Sequence, residues 1–503
     1  MVLPLVPLPT SVVESPGRFS LIAGARIIVA NEIVDIETDA AASGLADMLE
    51  ERTGLRIERV NNAAQAGDIV LRRTAESGEH YMLQIGDVTQ IEGSAAGLFY
   101  GIQTLRQLLT SDGDRWTLPH VDIDDAPRFE FRGVMLDVAR TFFDVSTVKA
   151  YIDRASSLKF NRLHLHLTDD QGWRLQIDSR LLLTERGSTT AVLGRPGGFY
   201  TKDDFREIVE YAATNHMVVV PEIDLPGHTH AIGLAYPEIV EAPVMNDELL
   251  KQSTALNQPL PVAGEPYQGW GVGHSIVKVR DEETWVFLRD VLTEVAELTA
   301  GPYLHIGGDE ALGTPHADFD TFITRVTALT LGLGKTPIAW HEAGSAPGRR
   351  GHDRTVLGQH PSRGSQAEDA RRFAERGGSV IMSPSNTAYL DQKYDAEFPL
   401  GLDWAALIDL ETAYDWEPTQ IIAGLSPDAI LGIEAPLWSE TLTSLADIDQ
   451  LFFPRAAALA EVGWSKFERR EWASFRERVG RLGAVWDAAG WGMHRPAEID
   501  WSS

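Results

Sequence analysis

Two carboxylates stand side by side behind two glycines in the run His305-Ile306-Gly307-Gly308-Asp309-Glu310. The glycines let backbone and ligand approach closely where a strand ends. Adjacent anions repel, and crowding two into one pocket pushes at least one carboxyl pKa upward. That arrangement suits one ionised group and one proton donor. An exposed Asp-Glu pair in a loop is the structural alternative, and the Gly-Gly that precedes this pair argues against it. Other chemistry-bearing residues follow the same placement. Arg140, Asp169-Asp170, the stretch Glu222 to His228 with Asp224 inside it, Trp340-His341-Glu342 and Trp438-Ser439-Glu440 each lie at or just past the end of a strand-like run. The pairs His164/His166 and His228/His230 raise a metal-dependent amidohydrolase as a second possibility. In such enzymes His-x-His ends the first barrel strand, whereas here it lies inside the second. Hydrogen-bonded polar groups are therefore expected, with no metal.

The elements that must hold these groups alternate strand, loop and helix from Phe129 onward. Strands are expected at Gly133–Val138, Arg162–Leu167, Val218–Ile223, Tyr303–Ile306, Thr336–Trp340, Thr355–Gln359, Ser379–Ser383 and Ala429–Glu434. Helical spacing lies between them at Thr147–Lys159, Asp203–Asn215, Glu282–Thr299, Phe319–Leu331, Ala367–Arg376 and Ile448–Val462. Eight buried strands alternating with helices make an α/β (β/α)8 barrel, and the polar residues load the rim where barrel enzymes place their sites. A doubly wound sheet is the alternative, but no Gly-rich phosphate turn follows the first strand. Residues 1–125 read as a small α+β domain. Its expected elements are a β-like run Phe19–Ala30, helices at Asp35–Glu51 and Ala95–Leu109, and strands at Gly67–Leu71, Tyr81–Ile85 and Val88–Glu92. A polar joint at Asp122–Pro127 separates it from a catalytic barrel over 126–503, on which the helical stretch Glu468–Ala489 is expected to pack.

Composition limits the partners. The 503 residues carry 73 Asp+Glu against 44 Lys+Arg, a formal charge of −29, which disfavours nucleic acid and anionic membranes. There is no cysteine, so thiol catalysis and disulfides are excluded. The N-terminus lacks the charged and apolar regions of a signal peptide, which points to the cytoplasm, with export after a trimmed signal as the alternative.

The run His305–Glu310 resembles the His-x-Gly-Gly-Asp-Glu signature of family 20 glycoside hydrolases, the β-N-acetylhexosaminidases. Arg132–Arg140 is similar to that family's first strand, His164–Trp173 to its second and Pro221–His228 to its third. Met382-Ser383-Pro384 with Tyr389 and Asp391, and Glu434–Glu440, are similar to the seventh and eighth. The resemblance spans nearly the whole chain. It also answers a question the residues pose. A retaining glycosidase ordinarily sets two carboxyl groups about 5 Å apart across the scissile bond. Neighbouring residues have Cα atoms about 3.8 Å apart and, in a strand, side chains on opposite faces. Asp309 and Glu310 are thus poorly placed to flank one sugar.

Family 20 enzymes are substrate-assisted: the 2-acetamido oxygen attacks the anomeric carbon and forms an oxazolinium ion. The resemblance implies that Glu310 protonates the leaving oxygen and then activates water, that Asp309 orients the acetamide, and that Tyr389 binds its oxygen. It further implies Arg140 on the 3- and 4-hydroxyls, with an Asp137 salt bridge as that residue's structural alternative. Asp391, Trp438 and Glu440 would hold the far hydroxyls and ring face, and Trp340 would form a wall behind the acetamido methyl. Asp169, Asp224 and His228 would act as supporting partners. No cofactor is implied, because the nucleophile arrives with the substrate, a terminal N-acetylhexosamine of an oligosaccharide. Family members usually carry another tryptophan after strand six; this chain reads Val356-Leu357-Gly358-Gln359-His360, and His360 in its place would loosen the grip on the methyl. A sugar-binding module without catalysis is the remaining alternative, opposed by the intact Asp309-Glu310 pair and Arg140.

Overall fold

The computed structural model describes residues 2–30, 36–113, 115–346, 357–358 and 365–501. The chain forms two compact units. The first contains residues 1–130, 157–159 and 453–503, and the second contains 131–156 and 160–452.

In the first unit a mixed sheet runs in the order Ser11–Leu21, Arg115–Asp125, Tyr81–Ile85, Thr89–Gly93, Ile69–Arg73, Arg26–Val29, Glu58–Val60. Helices Ile36–Thr53 and Ala95–Leu108 supply Leu45, Leu49, Leu98 and Leu105 to one core with Tyr81, Leu83 and Ile91. Four expectations are corrected here. The run Phe19–Ala30 is two strands separated by a turn at Gly24, whose φ is 89°. The polar stretch Asp122–Asp125 is the end of an eleven-residue strand, with Val121, Ile123 and Asp125 buried and Asp122 and Asp124 exposed. Period-2 alternation outweighed the polar composition. Asp125 accepts hydrogen bonds from Tyr81 Oη (2.7 Å), Lys159 Nζ (3.2 Å) and Trp464 Nε1 (2.9 Å). The C-terminal helix, Trp472–Ala488, belongs to this unit rather than to the barrel strands. Its Arg478 forms a bidentate pair with Glu461 at 2.6 Å and donates to the Leu5 carbonyl at 2.6 Å. The expected helix Ile448–Val462 is two, Leu445–Phe452 and Arg455–Trp464, because Pro454 has no N–H to continue the ladder.

The second unit carries eight parallel strands. In chain order they are Phe131–Asp137, Arg162–His166, Val218–Leu225, Tyr303–Gly307, Thr336–Trp340, Leu357–Gly358, Val380–Met382 and Ile430–Leu437. Ladders join strands six to five, four, three, two, one, eight and seven in that order, and strands six and seven touch, which curls the sheet as a (β/α)8 barrel requires. Every residue of strand one is buried, as expected of a strand covered on both faces. Helices Val145–Ser157, Lys202–Thr214, Glu282–Leu298, His316–Gly332 and Ser365–Glu375 alternate with the strands. Thr201 and Asp204 form a reciprocal cap at the start of the second of these. Between strand three and Glu282 lies a long insertion carrying helices His230–Ala235 and Asp247–Leu256.

Candidate active site

The floor of the barrel is organised by one carboxylate. In register, Glu222 of strand three stands beside His166 of strand two and His305 of strand four. His164 shares the face of His166, since residues two apart in a strand point the same way. Glu222 contacts His164 Nε2 at 3.0 Å, His305 Nδ1 at 2.8 Å and His166 Nδ1, and accepts from Trp340 Nε1 at 2.8 Å. Glu434 of strand eight takes the other nitrogen of His164 at 3.1 Å. Burial would raise the Glu222 pKa, but the imidazoles of His305, His166 and His164 hold it well below the carboxylate range. Burial opposes charge on His164 too, yet Glu434 and Glu222 push it up to about 10. The His164/His166 pair is thus hydrogen-bonded, and the sequence reading did not single out Glu222. The signal was available: Glu222 and Asp224 are spaced to share a face.

Above the floor, the chain's chemistry-bearing groups form a continuous line. Asp137 accepts the backbone N–H groups of Ala139 (2.8 Å) and Arg140 (3.0 Å) and the Ser439 hydroxyl (3.0 Å), fixing where strands one and eight end. Arg140 does not spend its guanidinium mainly on Asp137, which lies 3.8 Å away, but on Asp169 at 2.7 Å. Its guanidinium carbon also sits 4.7 Å from the centre of the Trp438 ring. Asp169 pairs in turn with His166 (2.9 Å) and with Nδ1 of His228 (3.2 Å). His228 Nε2 faces Asp309 at 3.6 Å and Glu310 at 3.4 Å.

Local backbone geometry explains the two glycines. Gly307 and Gly308 have φ of 68° and 104°, and a Cβ on Gly307 would stand 1.7 Å from the Asp224 carboxyl oxygen. Gly308 N–H donates to that same oxygen at 3.3 Å. Glu310 is itself left-handed, at φ 47°, a conformation that costs a non-glycine residue free energy and clusters at functional sites. Its side chain is 41% exposed and that of Asp309 18%. Burial and the neighbouring Asp309 push Asp224 well above the usual carboxyl range, and burial with Asp309 does the same to Glu342. Asp309 resists its burial because His228 holds it low. An ionised and a protonated carboxyl thus stand side by side in Asp309 and Asp224.

The remaining candidates line one side. Trp340 and Trp438 lie 5.7 Å apart between ring centres, and Tyr389 lies 6.5 Å from Trp438. Asp391 is buried, with one oxygen taking Gln392 Nε2 at 2.8 Å; burial and Glu440 push it up to about 8. Glu440 is pushed up to about 7 by burial, against the pull of Arg140. His360 lies outside the described residues. Trp404, which the sequence reading passed over, is 56% exposed and meets the Tyr389 ring edge-on at 6.1 Å.

Residues 129–467 match the catalytic domain of glycosyl hydrolase family 20, and residues 2–126 match domain 2 of that family. The chain belongs to glycosyl hydrolase family 20. This family 20 enzyme is 37% identical to a β-N-acetylhexosaminidase of Cellulomonas fimi, over 99% of this chain and 97% of the relative. Among solved structures it is similar to a family 20 β-N-acetylglucosaminidase (49% identity, TM-score 0.87, 99% and 100% of the two chains). It is also similar to the Streptomyces plicatus N-acetyl-β-hexosaminidase bound to Thio-NAglucal (38% identity, TM-score 0.90, 99% and 98%). The family 20 assignment makes the chain a glycoside hydrolase. No helix among its described residues is long and apolar enough to cross a membrane.

Proposed function

We propose that the chain is an exo-acting β-N-acetylhexosaminidase. It would remove terminal β-linked N-acetylglucosamine, and N-acetylgalactosamine, from the non-reducing end of oligosaccharides, with retention and with the substrate's acetamide as nucleophile. The observation that carries this reading is the convergence of Asp309 and Glu310 on one nitrogen of His228, at 3.6 and 3.4 Å. Their oxygens lie within 4.8 Å of each other, tighter than the about 5–5.5 Å across which a retaining acid and nucleophile face each other, so neither is set opposite the other as an enzyme nucleophile. The relatives' names supply the sugar, and its 2-acetamido oxygen supplies the attack.

In this mechanism Glu310, the more exposed of the two, gives its proton to the leaving oxygen and later takes one from water. Asp309, held ionised by His228, accepts the acetamide N–H and stabilises the positive charge that develops on the nitrogen. Protonated Asp224 keeps the space beneath Asp309 from adding a second negative charge. Tyr389 binds the acetamido oxygen and Trp340 walls its methyl. Arg140, aimed by Asp169, takes the 3- and 4-hydroxyls beside Trp438, with Asp391 and Glu440 at the far hydroxyls. Exposed Trp404 offers the leaving group a flat face. Intramolecular attack by a positioned group is worth up to about 7–11 kcal/mol, so aryl β-glucosides should be almost inert while the N-acetylglucosaminide and N-acetylgalactosaminide turn over. N-trifluoroacetyl substrates should slow as the attacking oxygen weakens, and a stable oxazoline analogue should bind far more tightly than product. Comparable cleavage of glucoside and N-acetylglucosaminide would overturn the reading.

A further inference from the structure

His228 is buried, and its Nε2 atom has no hydrogen-bond partner within the protein. Its ring cannot turn away, because Nδ1 is held by Asp169, which is itself tied to Arg140 at 2.7 Å and His166 at 2.9 Å. A carboxylate on one imidazole nitrogen fixes the ring's orientation, the support that protein metal sites use, and a metal ion taking the place of the Nε2 proton would find that nitrogen aimed at it. What that nitrogen faces is two carboxylate oxygens, from Asp309 and Glu310, and the three atoms lie within 4.8 Å of one another.

We propose that His228, Asp309 and Glu310 form a binding site for one divalent cation of borderline softness, Zn2+ foremost, and that the ion blocks the enzyme rather than serving it. Zinc bonds to nitrogen and oxygen are about 2.0–2.2 Å long, so the edge of a tetrahedron of such ligands is about 3.4 Å. The spacings from Nε2, 3.4 Å to Glu310 and 3.6 Å to Asp309, meet that edge with little adjustment. One imidazole and two carboxylates suit zinc in ligand type and offset its charge. Magnesium, which demands octahedral oxygen ligands and sheds water reluctantly, suits the site poorly. Glu310 is 41% exposed, so an ion can enter.

Three other groups of histidines and carboxylates share this proximity among the described residues, and in each a histidine nitrogen is already paired with a carboxylate of the group. His164 and His305 bind Glu222, His166 bridges Glu222 and Asp169, and the third group depends on the nitrogen of His228 that Asp169 holds. The rim group is different because its nitrogen makes no hydrogen bond within the protein.

Seated there, the ion would occupy the acid and the acetamide-orienting carboxylate together. The site itself rests on geometry alone; only its competition with sugar rests on the proposed function. Calorimetric titration of the intact chain with Zn2+ should find one site, and Co2+ in its place should give the intense visible absorption of tetrahedral coordination. Glu310→Gln, at a half-exposed position that the fold does not need, should weaken Zn2+ at least tenfold, and Asp309→Asn likewise. Asp169→Asn should weaken it by about 10- to 100-fold, through the ring alone. Zinc affinity unchanged in both Glu310→Gln and Asp309→Asn, or Mg2+ bound as tightly as Zn2+, would overturn the proposal. A separate titration with N-acetylglucosamine present should weaken apparent Zn2+ affinity. Loss of zinc in the variants without that competition would uphold the metal site and count against the sugar reading instead.

Discussion

The floor and the rim of this barrel are built from the same residue types and behave differently. On the floor, Glu222 has partners on both oxygens, and His164 is held at both nitrogens. At the rim, Asp224, Asp309 and Asp391 each keep a buried oxygen with no hydrogen-bond partner in the protein, and His228 keeps such a nitrogen. A buried polar group left without a partner costs about 1–3 kcal/mol. A satisfied network holds a scaffold in one arrangement, whereas an unsatisfied one is held ready for a group that arrives later. On the function proposed above, the floor's charges are architecture and the rim's are chemistry.

Breaking the floor should have the largest effect, and it should fall on stability. Glu222→Ala leaves three histidines and the Trp340 N–H without their shared acceptor. Removing one partner of a buried charged network costs about 3–5 kcal/mol, read as a lower midpoint in denaturant titration. A Glu222→Ala protein as stable as the parent would show that the floor is not structural.

Breaking the rim should do the opposite. Asp309→Asn keeps the shape and loses the ion pair with His228 at 3.6 Å, so stability should fall only slightly while kcat falls far more. Loss of a positioned electrostatic partner is worth about 3–4 kcal/mol, or 10²–10³ in rate. The loss should persist with a good aryl leaving group, whereas that of Glu310→Gln should shrink. A better leaving group that rescued the Asp309 variant would exchange the two roles.

Acidity sharpens the contrast by giving the two regions different pH windows. Asp391 and Glu440, held at about 8 and about 7 against ordinary values of 3.8 and 4.5, keep protons in the folded state that the unfolded chain releases. Their contribution to stability is full below about pH 4 and is lost as pH rises to between 7 and 8. On the floor, Glu222 lies below its ordinary 4.5, so its contribution is present above that pH and lost in acid. His164, at about 10 against 6.5, contributes fully below pH 6.5 and loses that contribution as pH climbs to about 10. Asp391→Asn should therefore flatten the decline in melting temperature between pH 4 and 8. A slope identical to the parent's would remove Asp391 from that account.

The smallest effect belongs to Trp404→Ala, at an exposed ring that meets Tyr389 edge-on. Loss of one exposed aromatic face, worth about 0.5–1.5 kcal/mol, should raise KM for an oligosaccharide and leave a small aryl glycoside nearly unchanged. Equal changes for both substrates would place Trp404 at the terminal sugar.

The barrel strands were legible because each is a short apolar run with polar residues loaded at its end, as in Gly133–Arg140 and Tyr303–Glu310. The rim residues were legible because they stand where those runs stop. What local pattern could not show is pairing across the sheet. Glu222 acquires its meaning from His305, 83 positions later, and its strand face alone does not reveal three imidazoles. The strand ending at Asp125 was hidden for a related reason: its acidic residues look like linker until Tyr81, Lys159 and Trp464 are seen to meet one of them. The C-terminal helix shows the same limit, since its spacing predicts a buried face and its Arg478 finds the partners, Glu461 and the Leu5 carbonyl, that say where.

The close approach of Gly307 to Asp224 bears on how this protein can change. With 1.7 Å between a hypothetical Cβ and the carboxyl oxygen, no single substitution at position 307 can be accommodated while Asp224 keeps its place. The two positions are therefore locked in epistasis: a larger residue at one is viable only after the other has been shortened, and shortening Asp224 removes the carboxyl that accepts the Gly308 N–H. Directed evolution by single steps should leave this pair untouched, and libraries intended to alter sugar preference will yield more by varying the Trp404 loop, where exposed side chains have room to differ.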